Sequence, residues 1–303
     1  MKIKIFIFIL VILYAGHPEH AFAKEEVGAK NKNIYLLSRS MKIGNEPVKD
    51  AIFSPDDQHA VVLSGSSSLE IYRTQSGKRE RIITSHEHNA LSLLLHTAGK
   101  LAITGGKDDT VRIWETDQTT AQAVLRGHLS AVSVLALNPG GSILASGSLD
   151  GTVIFWDIKE KKLLKSSKVI GKGSVKSLAF HPKGNILAIG GEDGSLQFRD
   201  ITEMKLLFKL PRHKKAVTAL DFNFRGNLLV SSSKDGKLII WDWGTRKQRF
   251  EIDIKDPVTD VSIHPVRHEI AVGTAGGSLE TWSLSEGTQL HIINKSEHAL
   301  ISL

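Results

Sequence analysis

Cysteine is absent from all 303 residues of the chain. Disulfide bonds, thiol chemistry and zinc sites with thiolate ligands are thereby excluded. So is a lipid anchor of the bacterial secretory type, which needs a cysteine just after its cleavage site. Long hydrophobic runs are missing too: no segment reaches the roughly eighteen apolar residues that span a bilayer as a helix. Aromatic residues make up only 6%, and they are not interleaved with cations as a nucleic-acid stacking surface requires. There is no Gly-x-Ser-x-Gly elbow and no Asp-x-Asp-x-Asp-Gly calcium loop. Gly140-Gly141 and Gly190-Gly191 fall at turn and strand positions, outside any phosphate-loop context.

What is present begins with a leader. Lys2 and Lys4 precede an apolar run from Ile5 to Ala15, and Ala21-Phe22-Ala23 supplies a small-x-small pattern before a cut after Ala23. Residues 1–23 read as a secretory signal peptide, and the remainder, 24–303, as one domain. The expected location is the periplasm or the extracellular space, with no stable membrane insertion once the leader is cleaved. Export without disulfides fits a bacterial periplasm better than a eukaryotic route; Asn294-Lys295-Ser296 is a glycosylation sequon that matters only in the latter. The net charge of +7 falls to +6 when Lys2, Lys4 and Glu19 leave with residues 1–23, which favours anionic partners.

The body of the chain is periodic. Taking Trp156 as a phase marker, the equivalent positions are Tyr72, Trp114, Trp156, Arg199, Trp241 and Trp282, spaced by 42, 42, 43, 42 and 41 residues. A second marker lies 17 residues upstream of each: Pro55, Thr97, Pro139, Pro182, Phe224 and Pro265. The copies run near 44–84, 86–126, 128–168, 171–210, 213–252 and 254–293. A period of this length indicates four strands per unit, stacked radially. In the third copy the strands are expected at Ala131–Leu137, Ile143–Gly147, Thr152–Asp157 and Leu163–Ser167. A tight Asp-Gly hairpin, Leu149-Asp150-Gly151, joins the second to the third.

Gly127-His128 at the start and Trp156-Asp157 at the end of this copy resemble the WD-repeat family of β-propellers. The resemblance covers roughly residues 33–303 and implies an all-β fold of six complete four-stranded blades plus an incomplete seventh. It also implies a buried hydrogen-bonded set of His, Ser or Thr, Asp and Trp. The matching residues are His86, Thr104, Asp108 and Trp114; His128, Ser146, Asp150 and Trp156; and His213, Ser231, Asp235 and Trp241. The other copies depart. The fourth has Gly171, Ile189 and Arg199 where His, Ser and Trp are expected, and keeps Asp193. The first offers Gly44, Ser66 and Tyr72, and the sixth Ile254, Gly276 and Trp282. These three are expected to rely more on packing.

The seam is untidy. Ile34 to Ser40 is in phase to be an outer strand before the first copy, and Leu300 falls 42 residues after Val258, so 296–303 begins a seventh inner strand. Six blades close, or a two-strand stub fills a seventh position, or the reading frame is truncated. The stub is the favoured reading, because an open seam exposes a strand edge.

His128, Ser146 and Asp150 carry the residue types of a hydrolytic triad, but the same set recurs on schedule in three copies, so a structural role explains it better. His86-Glu87-His88 could form a weak surface metal site at most. No catalytic residue, metal or cofactor is assigned. On the face shared by the strand-entry loops and the hairpins, Lys107, Arg126, Lys172, Arg212, Lys214, Lys215, Lys234 and Lys237 are candidates for binding a partner. The resemblance implies a non-enzymatic scaffold that docks a protein or peptide, an acidic one matching these cations, and no nucleic acid. The competing readings are a ligand-binding or hydrolytic propeller with a site at the channel mouth, and a truncated propeller without independent function.

Overall fold

The computed structural model describes residues 13–14, 41–42, 48–65, 68–84, 86–87, 89–96 and 99–295. The expected strand 34–40, the segment 296–303, and Ser66, His88 and Thr97 lie outside them, as does nearly all of the leader. Leu13–Tyr14 and Met41–Lys42 form a two-residue parallel bridge apart from the main body.

Six antiparallel sheets of four strands each follow one another along the chain. Blade 3 is made of Val132–Leu137, Ile143–Ser148, Thr152–Asp157 and Lys162–Lys168, within a residue of the expected bounds at every end. The innermost strands of the other blades are Val48–Phe53, Ala90–Leu95, Val175–Phe180, Val217–Phe222 and Val258–Ile263. Alternation along each strand sends successive side chains to opposite faces of the blade, so each blade has one apolar face toward each neighbour. Five inter-blade cores result. One joins Leu238, Ile240 and Ile252 of blade 5 to Val258, Val261 and Val272 of blade 6. Another joins Phe198 and Leu210 of blade 4 to Val217, Leu229 and Trp241 of blade 5. Blade 4, which lacks the tryptophan, gains an aromatic cluster instead: Trp243 lies 5.1 Å from Phe198 and 5.1 Å from Phe222, and Phe198 stacks on Phe208 at 4.6 Å.

The register slips at the same place in every blade, just after the first residue of the innermost strand, as between Val132 and Val134. Such a bulge leaves one residue unpaired and re-aims its side chain. Those residues are Lys49, Leu91, Ser133, Lys176, Thr218 and Thr259. Several reach the next blade: the Ser133 hydroxyl donates to the Val175 carbonyl at 2.9 Å, and Lys49 Nζ to the Ala90 carbonyl at 3.4 Å.

Each blade packs on the next from 1 to 6, but among the described residues blades 6 and 1 do not pack together as the other neighbours do. Thr259 Oγ1, in blade 6, sits where Ser133 bonds across, and it is buried without a partner. Val48, Ala60, Val62 and Tyr72 form a cluster drawn from blade 1 alone, on the face opposite to the one that meets blade 2. They are nonetheless buried. The segments expected at a seventh position, 34–40 and 296–303, lie outside the described residues.

Between blades 5 and 6, Asp221 accepts the Ile263 N–H at 2.7 Å, and burial pushes its carboxyl up to about 6. A carboxyl with a higher pKa folded than unfolded binds more protons when folded. Its stabilising contribution is complete at low pH and is lost as pH rises through about 6. Asn keeps an acceptor and cannot ionise. Asp221→Asn is therefore expected to raise stability at pH 7.5 by up to about 3 kcal/mol and to change nothing below about pH 4, as read by urea titration at both pH values.

Candidate functional site: the loop face

In blades 2 to 6 the strand-entry loop is tied to the hairpin of its own blade. In blade 3, Leu129 N–H donates to Asp150 Oδ2 at 2.9 Å, and Leu149 N–H to the Ala131 carbonyl at 2.9 Å. In blade 5, Lys214 N–H donates to Asp235 Oδ2 at 2.8 Å, and Lys234 N–H to the Ala216 carbonyl at 3.0 Å. In blade 4, Glu192 takes the acidic role, accepting from Ser174 N–H at 3.1 Å and from its hydroxyl at 2.7 Å. The glycine after the hairpin acid has positive φ, 78° at Gly151 and 81° at Gly194. A Cβ at Gly151 would lie 2.5 Å from the Ile170 carbonyl, and one at Gly194 2.2 Å from that of His213. Only glycine lets these two hairpins seat against the loop leading to the next blade; blade 2 holds Asp109 at the same position, with φ 63°. Loops and hairpins of blades 3 to 5 therefore form one continuous surface.

Beneath it lie the three repeated sets. Trp156 Nε1–H donates to Ser146 Oγ at 2.8 Å, and Ser146 Oγ lies 2.7 Å from His128 Nε2. With Trp donating to the hydroxyl, the hydroxyl proton goes to the imidazole, and Nδ1–H is left to face the hairpin acid. In blade 2 this bond is direct, His86 Nδ1 to Asp108 Oδ1 at 2.8 Å. In blade 3 it runs through Thr152, 2.8 Å from His128 Nδ1 and 2.5 Å from Asp150 Oδ1. In blade 5, His213 Nδ1 is 3.4 Å from Asp235 Oδ2 without hydrogen-bond alignment. So the four-membered set is fully hydrogen-bonded in one blade of three. Burial holds all three imidazoles below their ordinary range. Burial works against the Asp150 charge, yet bonds from Thr152 and from Leu129 N–H hold its carboxyl below the usual range. Thr104, Ser146 and Ser231 are fully buried, so no substrate reaches these hydroxyls and the three sets cannot act as hydrolytic triads.

The departing blades, expected to rely more on packing, also carry side-chain hydrogen bonds of their own. Two residues before the marker, on the same face of the third strand, blade 1 has Glu70, blade 4 Gln197 and blade 6 Glu280. Glu70 accepts from the Tyr72 hydroxyl at 2.6 Å and from Arg79 at 3.0 Å. Glu280 accepts from Trp282 Nε1 at 3.0 Å and Gln289 at 2.8 Å. Gln197 Oε1 accepts from Arg199 at 3.3 Å. The signal was legible: the regular blades carry Arg112, Ile154 and Ile239 there.

Of the candidate cations, Lys107, Arg126, Lys172, Arg212, Lys214, Lys215 and Lys234 are exposed. Lys237 is not available in the same way: its Nζ lies 3.4 Å from Glu251 and 3.7 Å from Asp253, on the outer strand of its own blade. Two cations escaped the sequence reading. Lys49 and Lys176 occupy bulge positions on innermost strands. Burial, then the charge of Lys107, holds Lys49 below the ordinary lysine range. Lys176 and Lys234 both help to hold the Glu192 carboxyl low, after its bonds from Ser174. Among the described residues no three His, Asp or Glu side chains are grouped to hold a metal ion. The two best-formed grooves lie between blades at the opposite ends of the strands, one of about 150 Å³ lined by Asn223, Arg225, Arg249 and His268. The other is lined by His96, Gln122 and Gly140.

The family model described as IFT122 first beta-propeller matches residues 47–302. The chain belongs to that family. An IFT122-type propeller is a WD-repeat-type propeller, and such propellers typically serve in protein–protein interaction without catalysis. In this member the loop face of blades 2 to 5 carries seven exposed cations, on blades of which three hold the repeated hydrogen-bonded sets. Ser146→Ala is expected to strand both Trp156 Nε1 and His128 Nε2 and to cost about 3 kcal/mol of stability in a denaturant titration, whereas Ser133→Ala should cost about 1 kcal/mol.

Proposed function

We propose that the protein is a non-enzymatic docking platform whose loop face binds a protein or peptide partner with an acidic surface. The observation that carries this reading is the surface of blades 4 and 5, where Lys172, Lys214, Lys215 and Lys234 are exposed on loops fixed by hydrogen bonds to their hairpins. A fixed loop loses little conformational freedom on binding, so more of the contact energy appears as affinity. Cations around a rim mainly raise association rates and make them salt-dependent. We further propose that the chain is exported to the periplasm or beyond, from the Lys2-Lys4, Ile5–Ala15 and Ala21-Phe22-Ala23 pattern.

The double variant Lys214→Glu/Lys215→Glu reverses two charges at exposed positions and should leave the melting temperature within about 2 °C. In co-purification from a periplasmic extract it is expected to lose, at least tenfold, the acidic partners that wild type retains. Retention of the same partners at the same level would refute docking on this face. For export, the chain recovered from an exporting host is expected to begin at Lys24; a mature protein still starting at Met1 would count against cleavage.

A further inference from the structure

Blade 3 breaks the charge pattern of the face. At the two positions where loop and hairpin meet, the other blades carry Glu87 and Lys107, Lys172 and Glu192, Lys214 and Lys234, and Lys255 and Ala275. Blade 3 carries Leu129 and Leu149. Leu129 is 87% exposed and Leu149 42%. Single exposed leucines are common and mean little. These two are different because their backbones are joined: Leu129 N–H is bonded to Asp150, the residue after Leu149, and Leu149 N–H to the carbonyl of Ala131. Both are exposed on a loop and a hairpin that these bonds hold together.

The surroundings are cationic. The blade 3 hairpin seats against the Ile170–Gly173 loop, which carries Lys172: Val169 and Ile170 N–H both donate to the Gly151 carbonyl. On the other side, blade 2 presents exposed Lys107 and Arg126. The acids nearby are largely engaged. Asp150 is bonded to Leu129, Thr152 and the adjoining turn, Asp108 to His86, Thr110 and Arg112, and Glu192 to Ser174. Asp109, half-buried at a positive φ of 63°, and Glu87, exposed and 4.0 Å from Arg112, are the acids that blade 2 adds on this side.

We propose that Leu129 and Leu149 form the apolar anchor point of a peptide-docking site, flanked by Lys107, Arg126 and Lys172, that takes an acidic segment bearing a bulky apolar residue. This rests on the docking reading of the loop face and adds to it the chemistry of the ligand. Water released from the leucine pair supplies the non-directional part of the affinity, and the flanking cations select segments with carboxylates on either side of the anchor. A purely acidic ligand would leave the leucines wet, and a purely apolar one would leave the cations unmatched.

Three fluorescein-labelled peptides test it by fluorescence anisotropy: (Glu-Glu-Leu)4, (Glu-Glu-Ser)4 and (Gln-Gln-Leu)4. The first is expected to bind wild type at least tenfold more tightly than either of the others. Leu129→Ser/Leu149→Ser, at exposed positions that leave both backbone bonds in place, is expected to remove that preference while keeping the melting temperature and the weak binding of (Glu-Glu-Ser)4. Equal affinity for the first two peptides, or unchanged binding by the double-serine variant, would overturn the proposal. So would absence of binding by all three; if partners then still co-purify in a manner sensitive to Lys214→Glu/Lys215→Glu, docking on the loop face stands and only the anchor is lost.

Discussion

In blades 2 to 6 a carboxylate clamps the entry loop to its hairpin, and the working surface of the molecule depends on that clamp. Asp150 and Asp235 accept the backbone N–H of Leu129 and Lys214. Glu192 does so for Ser174, and in blade 6 the direction reverses, with Asp256 of the loop accepting the Gly276 N–H at 2.6 Å. In blade 2, Asp108 holds the loop through His86. Bonds to an ionised acceptor are among the stronger ones available to a neutral donor. These bonds keep the carboxylates ionised, so the face carries fixed anions beside its exposed cations. The clamp sets the rigidity of the face, and the excess of exposed lysine and arginine sets its sign.

The clamp also gives residues of catalytic type a structural role. In blade 3 the Ser146 hydroxyl lies 2.7 Å from His128, but His128 reaches Asp150 only through Thr152, and the hydroxyl is fully buried and already accepts from Trp156. The set spends its hydrogen-bonding capacity on joining strands, hairpin and loop. Desolvation keeps the imidazole neutral, which suits a one-way chain of donors running from indole to carboxylate.

The period of about 42 residues made the six blades, their strand bounds and the hairpin positions legible, because every marker recurs in phase. What escaped was lateral. A register slip such as the one after Val132 has no signature in a one-dimensional repeat, so the bulge positions of Lys49 and Lys176 are legible only in the folded blades. Lys237 looked like its neighbours in one dimension, while Glu251 and Asp253 reach it only across the strand pair. Glu70, Gln197 and Glu280 were visible as a recurrent polar position but carried no meaning until the absence of the hydroxyl acceptor was set beside them. Leu129 and Leu149 are 20 apart in the chain and become a pair only through Asp150.

The account turns on a loop face held rigid by its carboxylates, and amide hydrogen exchange at Leu129 and Lys214 measures that directly. Both amides point at acids rather than at water, so exchange at neutral pH is expected to be slower than the intrinsic rate of an unstructured peptide by about 100-fold or more. Exchange at the intrinsic rate would show that the loops open freely, and a preorganised docking face would be contradicted.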